Sequence, residues 1–270
     1  MNARLFLFSL LLTVSFGTLT AQNTFQPRIE DSSPRGFVYN TETTVDIKLH
    51  TYGGFAAIGL NFGTLRTYNK TRFWNIEVGE LRHQKETKLN FEYPSGPNGR
   101  VSRPFRFGKQ NSLYAVRVGL GHKRYLSEKA KDKGVAVGYS YTFGPVLGLL
   151  KPYQLELFIT DPIGLESNPT SSVRYSEETA DRFLALDQIY GASGFTRGLG
   201  GTQPRPGAFF RVAAHFDWGA FDEYVKAFEV GLMGDIFLLN TPLMVPAEGV
   251  ENRPFYLNFF VAAQFGKRKL

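Results

Sequence analysis

The stretch Phe255-Tyr256-Leu257-Asn258-Phe259-Phe260-Val261-Ala262-Ala263-Gln264-Phe265 decides how this chain is read. Leu257, Phe259, Val261, Ala263 and Phe265 share one face at period two, and that face is wholly apolar. The other face alternates Tyr256, Asn258, Phe260, Ala262 and Gln264, a mixed surface. A strand of about 9–11 residues with one oily face and one mixed face fits a bilayer crossing in a closed barrel.

Seven further segments repeat the pattern. Thr43 to Tyr52 places Val45, Ile47 and Leu49 opposite Asp46, Lys48 and His50. Gly53-Gly54 is a tight turn signal. Phe55 to Arg66 and Thr71 to Arg82 return with Ile58, Leu60, Phe62 and Trp74, Ile76, Val78 outward, leaving Glu77 inward. Ser112 to Leu120 carries Arg117 inward, and Gly134 to Phe143 sets Val137, Tyr139, Tyr141 and Phe143 against small residues. Gly207 to Trp218 puts Arg211 and His215 inward, and Tyr224 to Leu239 does the same with Glu229 and Asp235. The expectation is an all-β fold: a closed, antiparallel, transmembrane barrel of eight strands. Pro145 to Thr160 stays apolar and either prolongs its strand or adds a hairpin, which would make ten. A short helix is expected within the longest interruption, over Glu177 to Tyr190, with Ser176 as its cap.

The connections alternate in length. Those starting at Thr67, His122 and Asp217 are short, whereas three of the four starting at Gly53, His83, Asp161 and Asn240 are long. Such asymmetry is typical of outer-membrane barrels. Aromatics gather at strand ends: Tyr52, Phe55, Phe143 and Phe255 on the loop side, Trp74, Trp218, Phe221, Tyr224 and Phe265 on the turn side. A soluble lipocalin-like barrel would need the inverse arrangement, apolar within and polar without.

Composition agrees. Residues 1–21 read as a signal peptide, with Arg4 before an apolar run and cleavage expected after Ala21. That run is shorter than the roughly 20 apolar residues a membrane helix needs. Residues 22–42 read as a periplasmic arm, 43–266 as the barrel and 267–270 as a basic tail. The chain is 43% hydrophobic and 15% aromatic with no cysteine, which removes disulfides and thiolate metal sites. Its net charge of +7 is spread along the chain, not gathered on one arm or helix, which argues against nucleic acid.

The chain resembles the small outer-membrane β-barrels of Gram-negative bacteria, of the OmpA or OmpX shape, over about residues 43–266. The alternating strands, the loop asymmetry and the closing strand carry the resemblance. Its closing aromatic, Phe265, departs from the pattern because Gly266 to Leu270 follow it. Phe107 to Ser112 and Gly148 to Tyr153 look like fixed motifs of a family without an assigned activity. The resemblance implies an outer-membrane location.

Two residue sets are candidates for function. The inward charges Asp46, Lys48, Glu77, Arg117, Arg211, Glu229 and Asp235 nearly balance, and a narrow lumen requires them to pair as a polar plug or serve as an ion path. The loop after Arg82 carries Arg82, Lys85, Lys88, Arg100, Arg103, Arg106 and Lys109 against Glu86 and Glu92, interleaved with Phe91, Tyr93, Phe105 and Phe107. A basic aromatic loop of this kind would meet lipopolysaccharide phosphates, acidic glycans or an acidic protein of the envelope. The next long loop is richer in acid, and the two could fold on each other.

For catalysis, His50 and His83 with Glu80 and Glu86 lie at the loop end, but no His–Ser pair faces lipid and no nucleophile elbow or zinc motif occurs. The reading is therefore a non-enzymatic barrel, structural or accessory, that binds an envelope component through its outer loops, with no metal or cofactor. A lipid-modifying hydrolase is the alternative and a narrow pore the third.

Overall fold

The computed structural model describes residues 39–67, 69–91, 102–127, 134–159, 170–220, 222–247 and 249–270. The signal segment, almost all of the proposed arm, Tyr93, Arg100 and Phe221 lie outside these residues.

Eight strands close on themselves: β1 (Thr41–His50), β2 (Ala57–Thr67), β3 (Lys70–Leu81), β6 (Asn111–Tyr125), β7 (Ala136–Pro152), β11 (Gln203–Asp217), β12 (Tyr224–Phe237) and β13 (Phe255–Lys269). The ring order is β1-β13-β12-β11-β7-β6-β3-β2, and every neighbouring pair is antiparallel. The seam joins first strand to last, from Thr41 opposite Lys269 to His50 opposite Phe260. Closure leaves no strand edge, so every wall segment finds its backbone partners, as hydrocarbon surroundings require.

Strand periodicity sets the polarity of the wall. On β13 the residues Leu257, Phe259, Val261 and Phe265 are exposed, while Asn258, Phe260, Ala262 and Gln264 are buried. Phe259 is 69% exposed and Val212 54%, although both sit mid-strand. Oily side chains outside and charged ones inside are the arrangement of a transmembrane barrel.

The bounds of four wall strands need correction. β6 runs on to Tyr125, five residues beyond Leu120, because Lys123 and Tyr125 point inward and are buried. β7 runs to Pro152, so Pro145 to Pro152 lengthens one wall strand and the ten-stranded alternative falls. This also moves Phe143 away from the strand end into the middle of the wall. β13 runs to Lys269, so the basic tail is part of the barrel, and Thr41 and Glu42 of the proposed arm belong to β1.

At the end opposite the short turns, the loops fold into a cap. β8 (Gln154–Phe158) is flanked by β9 (Thr170–Arg174) and β10 (Ile189–Ala192) in a three-stranded sheet, beside a two-stranded piece of β4 (Lys88–Leu89) and β5 (Phe105–Arg106). The expected helix is broken up: a 3-10 turn over Glu177–Thr179, one α-turn over Ala180–Phe183, another 3-10 turn over Leu186–Gln188, then β10. Ser176 does close its start, by hydrogen bonds of its backbone and hydroxyl with the Thr179 hydroxyl. Phe105, Leu155, Leu157, Phe183, Ile189 and Val245 form a buried core that belongs to the cap alone.

Candidate functional site

The lumen is filled in layers. In its middle, Glu77 on β3 receives Lys48 from β1, Arg117 Nη1 from β6 at 2.9 Å and Arg211 Nη1 from β11 at 2.7 Å. Arg117 also spans the lumen to Asp235, with Nε and Nη2 donating to the two carboxylate oxygens at 2.7 and 2.9 Å. Glu229 accepts from Ser140 Oγ at 2.8 Å and meets His215 Nδ1 at 3.0 Å. Asn75 donates to Asn61, which donates to Thr44. All seven inward charges singled out from the sequence are buried here, though among the described residues Asp46 Oδ1 has no hydrogen-bond partner. Pairing is what makes the other six tolerable so far from water, because each charge costs several kcal/mol to desolvate.

A second ionic cluster closes the turn end. Arg268 reaches Glu42, Asp217 and the carbonyl of Gly219, and Lys123 binds Glu42. Tyr125 donates its hydroxyl to Asp217 at 2.7 Å. In the sequence Lys123 falls in a charged connection and Arg268 in a basic tail; their spacing, in phase with inward positions of the preceding strand, is the one signal of this cluster.

Toward the loop end the lining turns apolar. Leu81, Leu113, Ala115, Val146, Leu150, Phe209, Phe237 and Tyr256 converge, and Leu243 from the last loop drops into their centre. Asn252 holds that loop down: its Oδ1 accepts from the backbone N–H of Leu243 and Met244 at 2.9 and 3.0 Å, and its Nδ2 donates to Met244 O at 2.8 Å. Thr241 and Tyr256 pair their hydroxyls at 2.6 Å beside it.

The basic loop is dispersed by the fold. Lys109 is fully buried between Glu86, at 3.0 Å, and Glu80, at 3.5 Å. Burial pushes its ammonium below the usual range, against the pull of Glu86 and Glu80. Arg106 pairs with Glu86 at 3.0 Å, and its backbone N–H donates to the Tyr153 hydroxyl, a phenol that burial pushes up. Arg82 binds Gly54 O and Glu80, and Lys85 binds Gly249 O. Lys88 and Arg103 are exposed; the Arg103 carbonyl accepts from Ala192 N–H, which ties this loop to the next long one. Arg100 lies outside the described residues.

The histidines are scattered. His83 Nε2 lies 3.2 Å from Glu251 O, His122 stacks on Tyr141, and neither ring nitrogen of His50 has a hydrogen-bond partner among the described residues. Glu80 and Glu86 spend their oxygens on Arg82, Arg106 and Lys109, away from His83. Among the described residues no group of three or more His, Asp or Glu is placed to hold a metal ion.

No protein-family model matches the chain, and no curated protein matches it. Among solved structures, the N-terminal β-barrel domain of Pseudomonas aeruginosa OprF is similar with a TM-score of 0.31 and 10% identity, over 86% of this chain and 100% of that one.

Proposed function

We propose that this chain is a non-enzymatic barrel of the outer membrane whose folded cap is a docking platform for another envelope component. The observation that carries the reading is the cap itself. Three loops spend their apolar residues on a shared core, although closing an eight-stranded barrel needs only short turns. Rigid, ordered loops on a scaffold are where binding surfaces are built. The cap also exposes the apolar side chains of Leu184, Leu186 and Leu199.

The lumen supports a scaffold over a conduit. An eight-stranded barrel has room for side chains and little else. Here the ionic middle and the apolar layer around Leu243 fill it in succession.

Photo-crosslinking residues placed at Leu184, Leu186 and, as a wall control, Phe259 test the proposal in intact cells. The expected result is one recurring envelope protein captured from both cap positions and only lipid from Phe259. Capture of lipid alone from all three sites would overturn the docking role. Deleting Lys85 to Lys109 is the poorer test, because Leu89 and Phe105 belong to the cap core.

A further inference from the structure

On the outer surface of the wall, where it meets the cap, lies a cavity of about 310 Å³ lined by Phe55, Tyr114, Lys151, Phe195 and Arg197, among others. Lys151 faces it. In the alternation of β7, Lys151 falls on the lipid side together with Leu147 and Leu149, and it sits opposite Ser112 in the β6–β7 register. A lysine there would normally extend into water. Instead Lys151 is only 6% exposed, because Phe195 folds over it with the ring centroid 4.8 Å from Nζ.

Among the described residues that ammonium has no carboxylate within ion-pair reach and no hydrogen-bond acceptor, and the Phe195 ring is its one partner. Arg197, exposed at the same rim, has no ion pair either among the described residues. The cavity's carboxylate, Glu80, is already held by Arg82 and Lys109, and its second guanidinium, Arg106, by Glu86. The site is thus left with two uncompensated positive charges. An ammonium held under an aromatic ring without a counter-charge, its stem buried and its tip open to the cavity, favours a bound anion. The walls specify more than an anion. Phe55 and Tyr114 lie 6.4 Å apart, Tyr114 and Phe195 5.9 Å, and this aromatic shelf continues onto the oily wall. Cations above an aromatic shelf at the edge of an apolar band suit a phosphate headgroup with its acyl chains lying along the barrel.

We infer that the Lys151–Arg197 cavity binds the phosphate of a membrane lipid at the loop-side interface. This rests on the outer-membrane reading above, and it places the lipid contact on the wall beneath the cap, where Arg106 is the one member of the basic loop that lines the cavity among the described residues. Charge-assisted hydrogen bonds to phosphate from Lys and Arg supply the specificity.

The test inserts the mature barrel into phosphatidylcholine vesicles doped with lipid A or with its dephosphorylated form, then measures retained lipid by native mass spectrometry after gentle solubilisation. Wild type is expected to retain lipid A over the dephosphorylated lipid. Lys151→Met and Arg197→Gln are each expected to lower that retention about tenfold. Lys151→Arg should keep it. Arg197 is exposed, so its variant reports on the site even if Lys151→Met folds poorly. Equal retention of both lipids, unchanged retention in Arg197→Gln, or complete displacement by inorganic phosphate would overturn the inference. Failure of the chain to float with any vesicle would count against the membrane reading instead, and is scored separately.

Discussion

Arg117 and Asp235 lock the barrel across its lumen: they stand on β6 and β12, strands that are not neighbours, and join by two parallel hydrogen bonds of 2.7 and 2.9 Å. A planar guanidinium matched to a carboxylate fixes direction as well as distance. This one contact sets the spacing of opposite walls, and Glu77, bound to Arg117 at 2.9 Å, extends the lock to β1 and β11 through Lys48 and Arg211.

Removing the hub should therefore cost more than removing a spoke. Glu77→Gln takes the carboxylate from buried Lys48 and Arg211, while Arg117 keeps Asp235, and is expected to destabilise the barrel by about 3–5 kcal/mol, the usual cost of breaking a buried pair. Urea unfolding in detergent micelles measures it. Arg117→Met combined with Asp235→Leu should be closer to wild type than either single change, because no charge is left alone.

The closing strand makes its own prediction. Arg268 ties β13 to Glu42 on β1 and to Asp217 on β11, at the seam where the chain's two ends meet. Removing residues 266–270 is expected to prevent closure, seen as loss of the compact, heat-modifiable band on gels. Arg268→Gln should fold but melt earlier.

Lys123 and Arg268 mark the limit of what sequence can tell. Strand count, order and wall polarity were legible, because Val45, Trp74, Val212 and Phe259 must all face one way and period two leaves no other choice. Strand ends were not. Lys123 and Arg268 look like solvated charges until Glu42 and Asp217, distant in sequence, arrive to neutralise them. The cap was illegible for a different reason: Phe105, Leu155, Phe183 and Val245 come from three separate loops and share no period. The basic loop was misleading in part, since Lys109 finds Glu86 and Glu80 only once the loop folds back. No local pattern announced Lys151 either; its burial depends on Phe195, brought over it by a later loop.

Asn252 is expected to control the last loop. Asn252→Ala removes three hydrogen bonds from Leu243 and Met244 and should raise local opening by about 1–3 kcal/mol. Limited proteolysis of the inserted barrel should then cut between Asn240 and Arg253 while the wall stays intact.

Conductance should stay negligible even so. In planar bilayers both the wild type and Asn252→Ala are expected to show no steady channel, because the Glu77–Arg117–Asp235 layer lies below the displaced loop. Steady openings in the wild type would contradict a filled lumen.

The most direct test of the whole account asks what surrounds the wall. The chain has no cysteine, so single cysteines at Ile76, Val212 and Phe259 can each carry a spin label without background. In lipid vesicles these labels should be relaxed by dissolved oxygen and shielded from a water-soluble nickel chelate. Relaxation by the chelate at all three positions, or a mature chain that remains monomeric in buffer without detergent, would contradict a wall solvated by hydrocarbon.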